Sequence, residues 1–259
     1  MTRTSRFVVL AVAAALSSAL AAAGGPAGYL DAGSFDIMQV LPPAPVRGDG
    51  RYQSDRQIFR ATRKFVGTPR WDMATRDVSQ KSADMLHDFS CAVGVALDPS
   101  NAPRTAALVE RAAIDTAAQK NRAKDFYKRS RPYKIDPGPV CQPRAELDGS
   151  YDYPSGHTTS GWTWALILAE LAPDRATPIL ARGRAYGQSR MVCGAHNESA
   201  VEAGWLTADA TMAVVRTRPA YLAEAAAARA ELDRLRHDPA AARPEACEAE
   251  AALVREPVL

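Results

Sequence analysis

The sequence predicts an all-α protein, a single-domain helical bundle. Its composition is that of an ordinary globular chain, since 47% of the 259 residues are hydrophobic and 24% are charged. Aromatic residues make up only 7%, while alanine is abundant, which favours helices over sheets. Apolar residues recur at helical spacing along most of the chain, and no convincing pair of strands is present. This composition excludes a disordered chain, a collagen and a disulfide-dense miniprotein.

Residues 1–23 have the pattern of a cleaved signal peptide. Arg3 and Arg6 precede an apolar stretch that begins at Phe7 and ends in three alanines before Gly24. A membrane anchor is the alternative, because this stretch approaches spanning length, but its many alanines and serines favour cleavage. We therefore expect an exported protein, periplasmic or secreted, with no membrane partner after the signal peptide is removed.

The charge balance argues against a nucleic-acid partner. The formal net charge is +3, and removal of the two arginines with the signal peptide leaves about +1. A nearly neutral protein has no general electrostatic attraction to nucleic acid or to an anionic membrane.

The mature chain is expected to begin with an arm and to continue as a run of helices. Prolines at 42, 43 and 45 forbid regular helix and predict an extended Pro/Gly-rich N-terminal arm on the surface over residues 24–50. The helical domain is expected over residues 51–238, and residues 239–259 are expected to form a C-terminal tail that frays. The predicted helices cover, in order, residues 51–66, 73–96, 103–130, 155–171, 174–190, 197–216 and 219–236.

Prolines and turn residues separate these helices. A turn is predicted at residues 98–101, which read Asp-Pro-Ser-Asn. The helix over 103–130 is expected to end before Arg131, because Pro132 follows. The proline-rich stretch 132–154 is predicted to be a loop.

The four cysteines fit two disulfide bridges. Export would place Cys91, Cys141, Cys193 and Cys247 in a compartment where disulfides persist, and three pairings exist for four cysteines. Cys141 and Cys193 lie beside the motifs described next, which favours that pair. No C-x-x-C spacing is present, so a zinc site is not expected.

Three short segments combine cations, hydrogen-bond donors and imidazoles at predicted helix ends. The first runs over residues 124–132 and contains Lys124 and Arg131. Seven residues are about two helical turns, so both side chains are expected to project from the same side of a helix. Two fixed cations on one face suit an anion with several oxygens.

The second and third segments add a helix N-terminus, another cation and two histidines. Residues 154–157 read Pro-Ser-Gly-His and open an apolar helix, whose first N–H groups and dipole favour an anion. Gly156 allows close approach of the backbone, and Ser155 adds a hydroxyl donor. Arg190 supplies a planar fork that matches phosphate, and the histidines can supply a nucleophile and a proton donor. The combination predicts a phosphoryl-transfer site.

The three segments resemble the signature K-x6-RP, PSGH and SR-x5-H-x3-D. That signature marks the superfamily of type 2 phosphatidic acid phosphatases, bacterial non-specific acid phosphatases and vanadium haloperoxidases. Residues 124–132 match the first block, residues 154–157 the second, and Ser189, Arg190 and His196 the third. Within the superfamily the chain looks like a class A bacterial acid phosphatase, because of its exported form, its length and its Leu-Pro-Pro arm.

The resemblance implies a metal-independent acid phosphatase with a helical bundle of the acid phosphatase and haloperoxidase type. His196 would be the nucleophile that forms a phosphohistidine, and His157 would be the acid that protonates the leaving group. Substrates would be small phosphomonoesters, vanadate or phosphate would inhibit, and no cofactor is expected. Homo-oligomers are common in the family, which favours an oligomer here. The remaining signature residues would hold the phosphate: Lys124, Arg131, Ser155, Gly156 and Arg190.

One position departs from the signature, because Ala200 stands where the third block ends in aspartate. On a helix, residue 200 would be the neighbour of His196, and the family's carboxylate would hold the imidazole and stabilise its charge. Alanine does neither, so we expect reduced activity. Glu198 and Glu202 are poorly placed on a helix to compensate. The alternatives are a phosphate-ester-binding pseudo-enzyme without useful turnover and, on the shared site, a vanadate-dependent peroxidase.

Overall fold

The computed structural model describes residues 27–259, and all regular structure in this range is helical. The predicted all-α fold is confirmed for this part of the chain, whereas the predicted signal peptide lies outside the described residues. None of the helices between residues 27 and 259 combines the length and the hydropathy of a membrane span. The α-helices are α1 (Gly50–Thr62), α2 (Pro69–Arg76), α3 (Ser82–Val93), α4 (Pro103–Tyr127), α5 (Arg144–Asp148), α6 (Gly156–Leu171), α7 (Ala176–Val192), α8 (Glu198–Val215), α9 (Pro219–His237) and α10 (Cys247–Arg255).

The segment predicted as one helix over residues 73–96 is two helices, so that prediction was wrong. Helix α2 ends before Asp77, whose buried carboxylate accepts hydrogen bonds from two residues of α7. Nη2 of Arg182 donates at 2.6 Å, and Oγ of Ser189 donates at 2.5 Å. Because these contacts fix the chain at Asp77, it turns there, and a new helix begins at Ser82.

The start of α4 is capped by a residue far along the chain. The carboxylate of Glu231 on α9 accepts from the backbone N–H of Arg104 at 3.0 Å and of Thr105 at 2.9 Å. No local side chain caps this helix, so Glu231 supplies acceptors for N–H groups that would otherwise lack partners.

The end of α4 lies three residues earlier than predicted. Lys128 has a left-handed backbone with φ of 47°, and its N–H donates to the carbonyl of Lys124 at 3.0 Å. The helix therefore ends at Tyr127. Arg131 lies outside it, and the prediction that Lys124 and Arg131 share one helical face was wrong.

Helices α6 and α7 pack closely against each other in the bundle. A Cβ on Gly161 would lie 2.3 Å from Cδ1 of Tyr186, and a Cβ on Gly183 would lie 2.3 Å from Cβ of Ala165. Only glycine allows this approach. Because residues 172–175 form a short connection, the two helices run antiparallel. The start of α6 and the end of α7 therefore meet at one end of the bundle.

The predicted apolar stripes form the core around this helix pair. The largest cluster joins side chains of α3, α4, α6, α7, α8 and α9, as the helical periodicity predicts. Its members include Met85, Leu86, Phe89, Leu108, Val109, Trp164, Ile167, Leu168, Leu171, Met212 and Leu232.

Two disulfides link segments that are distant in sequence. The favoured pair is confirmed, because Cys141 is bonded to Cys193. Cys91 is bonded to Cys247, which ties α10 to α3.

The C-terminal tail contains a helix where fraying was expected. Helix α10 is held by its disulfide and by a hydrogen bond from Nη2 of Arg184 to the carbonyl of Val254, at 2.9 Å. These two contacts order the tail, which its amino-acid composition did not predict.

The N-terminal arm is packed against α4 rather than lying wholly on the surface. The N–H groups of Tyr29 and Leu30 donate to the carboxylate of Asp115 at 2.6 and 3.2 Å. A short 3-10 helix, Ile37–Gln39, follows, and Ile37 is fully buried.

Candidate active site

The candidate site lies where the start of α6 meets the end of α7. Nη1 of Arg131 lies 2.9 Å from Nε2 of His196. Burial lowers the pKa of His196 well below its ordinary value, and the nearby charges of Arg131, Lys124 and Arg190 lower it further. A Cβ on Gly156 would lie 3.8 Å from Cε of Lys124. The structure therefore brings together all seven predicted residues: Lys124, Arg131, Ser155, Gly156, His157, Arg190 and His196.

Ser155 fixes the start of α6. Its Oγ accepts from the N–H of Thr158 at 3.3 Å and from the hydroxyl of Thr158 at 2.9 Å, so it is the N-cap of the helix. Its own N–H donates to the carbonyl of Ala200 at 2.8 Å, which joins α6 to α8. Lys120 lies over the same turn, because its Cδ would be 3.1 Å from a Cβ on Gly156.

Two buried cations of the site lack carboxylate partners in the described part of the chain. Lys124 donates to the carbonyl of Tyr151, and burial, reinforced by the charge of Arg131, lowers its pKa to about 7. Arg190 is fully buried and donates to Oε1 of Gln142, while its Nε and Nη1 have no hydrogen-bond partner among residues 27–259. Burial lowers the pKa of Arg190 to about 10. A bound anion would relieve both desolvated charges.

The guanidinium of Arg131 is held by backbone carbonyls. Its Nε donates to the carbonyl of Ser150 at 2.9 Å, and its Nη1 donates to that of Ala195 at 2.9 Å. Nη1 also faces Nε2 of His196. Because arginine has only donors, Nε2 must be the acceptor in this contact.

A carboxylate that the sequence analysis missed contacts the other ring nitrogen of His196. Oδ1 of Asp152 lies 3.0 Å from Nδ1 of His196. The same Oδ1 accepts from the N–H of Asn197 at 3.2 Å, and Oδ2 accepts from Nδ2 of Asn197 at 2.8 Å. Burial raises the pKa of the Asp152 carboxyl, while Arg129 and Asn197 act in the opposite direction.

Glu198 and Glu202, the nearby acids considered as substitutes for the missing aspartate, do not contact His196 in the described part of the chain. Glu202 forms an ion pair with Arg51, and among the described contacts neither it nor Glu198 reaches His196. His196 precedes α8 instead of lying on it, so the helical neighbour relation assumed for residue 200 was wrong. Ala200 itself is buried in an apolar cluster that includes Tyr153.

His157 is oriented by a backbone carbonyl. Its Nε2 lies 3.0 Å from the carbonyl oxygen of Val78, to which it donates. Nδ1 is therefore the nitrogen on which a transferable proton would be bound or released. Burial lowers the pKa of His157 well below its ordinary value, and the charge of Arg190 lowers it further.

Comparison with known proteins identifies the family. The PAP2 superfamily matches residues 106–224, which include every predicted site residue. The chain is 40% identical to the acid phosphatase of Zymomonas mobilis subsp. mobilis over 203 residues, which cover 78% of this chain and 77% of the relative. The chain belongs to the PAP2 superfamily. This PAP2 protein is also 34% identical to the non-specific acid phosphatase of Salmonella typhimurium over 200 residues (74% of this chain, 78% of the relative). The corresponding protein of Providencia stuartii is 30% identical over 206 residues (78% and 83%).

The resemblance stated from the motifs is thus confirmed at the level of the superfamily, while the roles of the individual residues in this PAP2 protein stay predictions. The signature blocks located the cations and the histidines. They did not indicate the partners of those groups, which include Asp152, Gln142 and the carbonyl of Val78. An acid two positions before the second block was the one signal that could have pointed to Asp152.

Proposed function

We propose that the protein is an exported acid phosphatase that hydrolyses small phosphomonoesters through a phosphohistidine intermediate. The observation that carries the proposal is the pairing of His196 with a cluster of buried cations. Arg190 has two buried donors with no partner in the described chain, and phosphate oxygens are suitable acceptors for guanidinium donors.

Substrate binding would use the start of α6 and the three cations. The first N–H groups of the helix and its dipole favour a phosphate at Gly156. Arg131 is already oriented by the carbonyls of Ser150 and Ala195, so little ordering would be needed when it binds a phosphate oxygen. Arg190 would bind phosphate oxygens through Nε and Nη1, which have no partner in the described chain, and Lys124 would contribute its ammonium group.

The chemical step would begin at Nε2 of His196. Its lone pair attacks phosphorus and forms a P–N bond, while the bond between phosphorus and the ester oxygen breaks. The departing oxygen takes the proton from Nδ1 of His157 and leaves as an alcohol. Water then gives a proton to His157 and attacks phosphorus, the P–N bond breaks, and inorganic phosphate is released. The cations would stabilise the charge on the phosphoryl oxygens in both transition states.

Catalysis would be favoured in acid. Nδ1 of His157 must carry a proton at the start of the reaction, so the imidazole must be in its cationic form. Burial and the charge of Arg190 lower the pKa of His157. The protonated fraction therefore decreases as the pH rises through that lowered pKa. A bound phosphate dianion would offset the charge of Arg190 and raise the pKa towards its ordinary value. Activity should thus decline from acid towards neutral pH.

Ala200 was the one residue that favoured reduced activity or a pseudo-enzyme. The contact between Asp152 and His196 provides the ring with a carboxylate from another position. We therefore propose turnover, with Asp152 in place of the expected aspartate.

The test is phosphate release from p-nitrophenyl phosphate between about pH 4 and pH 8. We expect His196→Ala to lose about 10⁴-fold in kcat or more, and His157→Ala to lose about 10²- to 10⁴-fold. His237→Ala is the matched control, because His237 is an exposed histidine on α9.

A second measurement addresses the intermediate. A radiolabelled phosphomonoester, mixed briefly with the protein and quenched in alkali, should leave label on the wild type and none on His196→Ala. A wild type that binds vanadate but releases no phosphate at any pH would establish the binding protein and refute the enzyme.

A further inference from the structure

We infer that Asp152 is the positioning residue of His196, and that it takes in space the role that the signature assigns to residue 200. The inference concerns the orientation of the imidazole. Its consequence for turnover rests on the proposed function, so the experiments below include a readout that requires no turnover.

Both ring nitrogens of His196 have fixed partners, and only one neutral tautomer satisfies them together. Arg131 can only donate, so Nε2 at 2.9 Å must present its lone pair. Nδ1 must then carry the proton, which it donates to Oδ1 of Asp152 at 3.0 Å. This is the tautomer that a nucleophilic Nε2 requires.

Burial raises the pKa of the Asp152 carboxyl, and the contacts around it act in the opposite direction, in favour of the ionised form. Both oxygens receive donors: Nδ1 of His196 and the N–H of Asn197 reach Oδ1, and Nδ2 of Asn197 reaches Oδ2. Nη1 of Arg129 lies 3.3 Å from Oδ2. Asp152 is fully buried, so these four donors act without competition from water.

The segment that carries Asp152 is itself fixed. The N–H of Asp152 donates to the carbonyl of Arg129 at 2.9 Å. Nη2 of Arg129 in turn donates to Oδ2 of Asp55 on α1 at 2.6 Å, and the N–H of Ser199 donates to Oδ1 of Asp55 at 2.9 Å. The chain before α6 and the chain at the start of α8 are therefore held by one buried network. This network sets the spacing between Asp152 and His196.

Residue 200 has a different structural role in this protein. Ala200 is fully buried in an apolar cluster with Ile37, Leu41 and Tyr153, and its carbonyl accepts the N–H of Ser155 at the start of α6. An aspartate there would place a second charge close to this apolar cluster, while the imidazole already has a carboxylate. Restoring the signature should therefore give no gain.

Asp152 would act on the reaction through the ring. When Nε2 bonds to phosphorus, the imidazole becomes cationic, and the carboxylate at Nδ1 stabilises that charge. In the described part of the chain the Asp152 carboxylate forms hydrogen bonds or ion pairs with His196, Asn197 and Arg129, and none with Lys124, Arg131 or Arg190. Its loss should therefore lower kcat far more than it raises KM.

The kinetic experiment compares Asp152→Asn with Asp115→Asn. Asp115 is also a buried carboxylate with backbone N–H partners, but it holds the N-terminal arm. We expect Asp152→Asn to lower kcat about 10²- to 10⁴-fold, with KM changed less than about fivefold. Asp115→Asn should lower the melting temperature and leave kcat within about twofold. Equal losses of kcat in the two variants would overturn the inference, as would a gain of tenfold or more for Ala200→Asp.

The second experiment reads the tautomer directly. Nitrogen-15 NMR of histidine-labelled protein, with His196→Ala used to assign the signal, should show a proton on Nδ1 of His196 in the wild type. That proton should be lost or redistributed in Asp152→Asn and retained in Asp115→Asn. A wild-type proton on Nε2 would refute the positioning role whatever the activity. A proton on Nδ1 that depends on Asp152, in a protein that releases no phosphate, would support the positioning role and refute the proposed function.

Discussion

The two disulfides offer a paired test of what holds the fold and what holds the site. Cys141 and Cys193 are separated by 52 residues, and Cys91 and Cys247 by 156. The first bridge lies at the candidate site, since Gln142, which follows Cys141, accepts from Arg190. The second bridge ties α10 to α3. We consider two variants, in each of which one cysteine pair is replaced by alanine.

The loop lengths give the expected losses of stability. When a cross-link is removed, the unfolded chain regains entropy that grows with the logarithm of the closed loop. For these separations the loss amounts to about 4 kcal/mol for the first pair and about 5 kcal/mol for the second at 25 °C. Both are a large part of the 5 to 15 kcal/mol typical of a folded domain.

The effect on KM should be larger for loss of the bridge between Cys141 and Cys193, although that bridge contributes less to stability. Besides the bridge, the N–H of Cys141 donates to the carbonyl of Cys193 at 3.0 Å, and together these contacts hold the segment that positions Arg190. Cys141→Ala/Cys193→Ala should raise KM for p-nitrophenyl phosphate about tenfold, or ~1.4 kcal/mol. Cys91→Ala/Cys247→Ala should leave KM within about twofold at a temperature where it remains folded.

The test measures the unfolding free energy of the two variants in urea and their KM by steady-state kinetics. A larger change in KM for the variant at residues 91 and 247 than for the variant at 141 and 193 would contradict this prediction. It also fails if the pair at 141 and 193 loses less than about 1 kcal/mol of unfolding free energy, because loop entropy would then not describe this chain.

Two further predictions concern the buried charges. Below the ordinary pKa of histidine, the unfolded chain takes up a proton that folded His196 resists, because burial and Arg131 lower its pKa. The unfolding free energy of the wild type, measured in urea relative to His196→Asn, should therefore fall by about 2 kcal/mol between about pH 7 and pH 5. Because both proteins contain the other titrating groups, such as Asp88, whose pKa burial raises to about 7, the contributions of those groups cancel in this difference. A constant difference would contradict the lowered pKa. Arg131→Lys keeps the charge but loses the fork that joins Ala195 and His196, so kcat/KM should fall about 100-fold, or ~2.7 kcal/mol; a loss below threefold would show that charge alone matters.

The helices could be predicted because their apolar periodicity is a local property. The long segments now seen as α6, α8 and α9 lie within a few residues of their predicted bounds. The errors occur where a distant residue decides the local structure. Asp77 breaks a periodic stretch because its carboxylate is held by α7, and α10 is ordered by its bridge to Cys91.

The same distinction applies to the candidate site. A signature of fixed spacings locates cations and histidines, because each block carries its residues on one local segment. The partner of His196 lies 44 residues away in sequence, and only the packing of the segment before α6 on the start of α8 brings the two together. The sequence analysis expected residue 200 to be the partner, because residues four apart are neighbours on a helix. This relation does not apply here, since His196 precedes α8.

The cap that Glu231 provides has a consequence for the boundaries of the domain. The family match ends at residue 224, before Glu231, although that carboxylate holds the first turn of α4. Lys124 lies about 30 Å further along the same helix. A chain ended where the family match ends would lose this acceptor and most of α9, so that α4 would begin with unpaired N–H groups beside exposed apolar side chains. The smallest unit that keeps the site intact is therefore longer than the sequence match that reveals it.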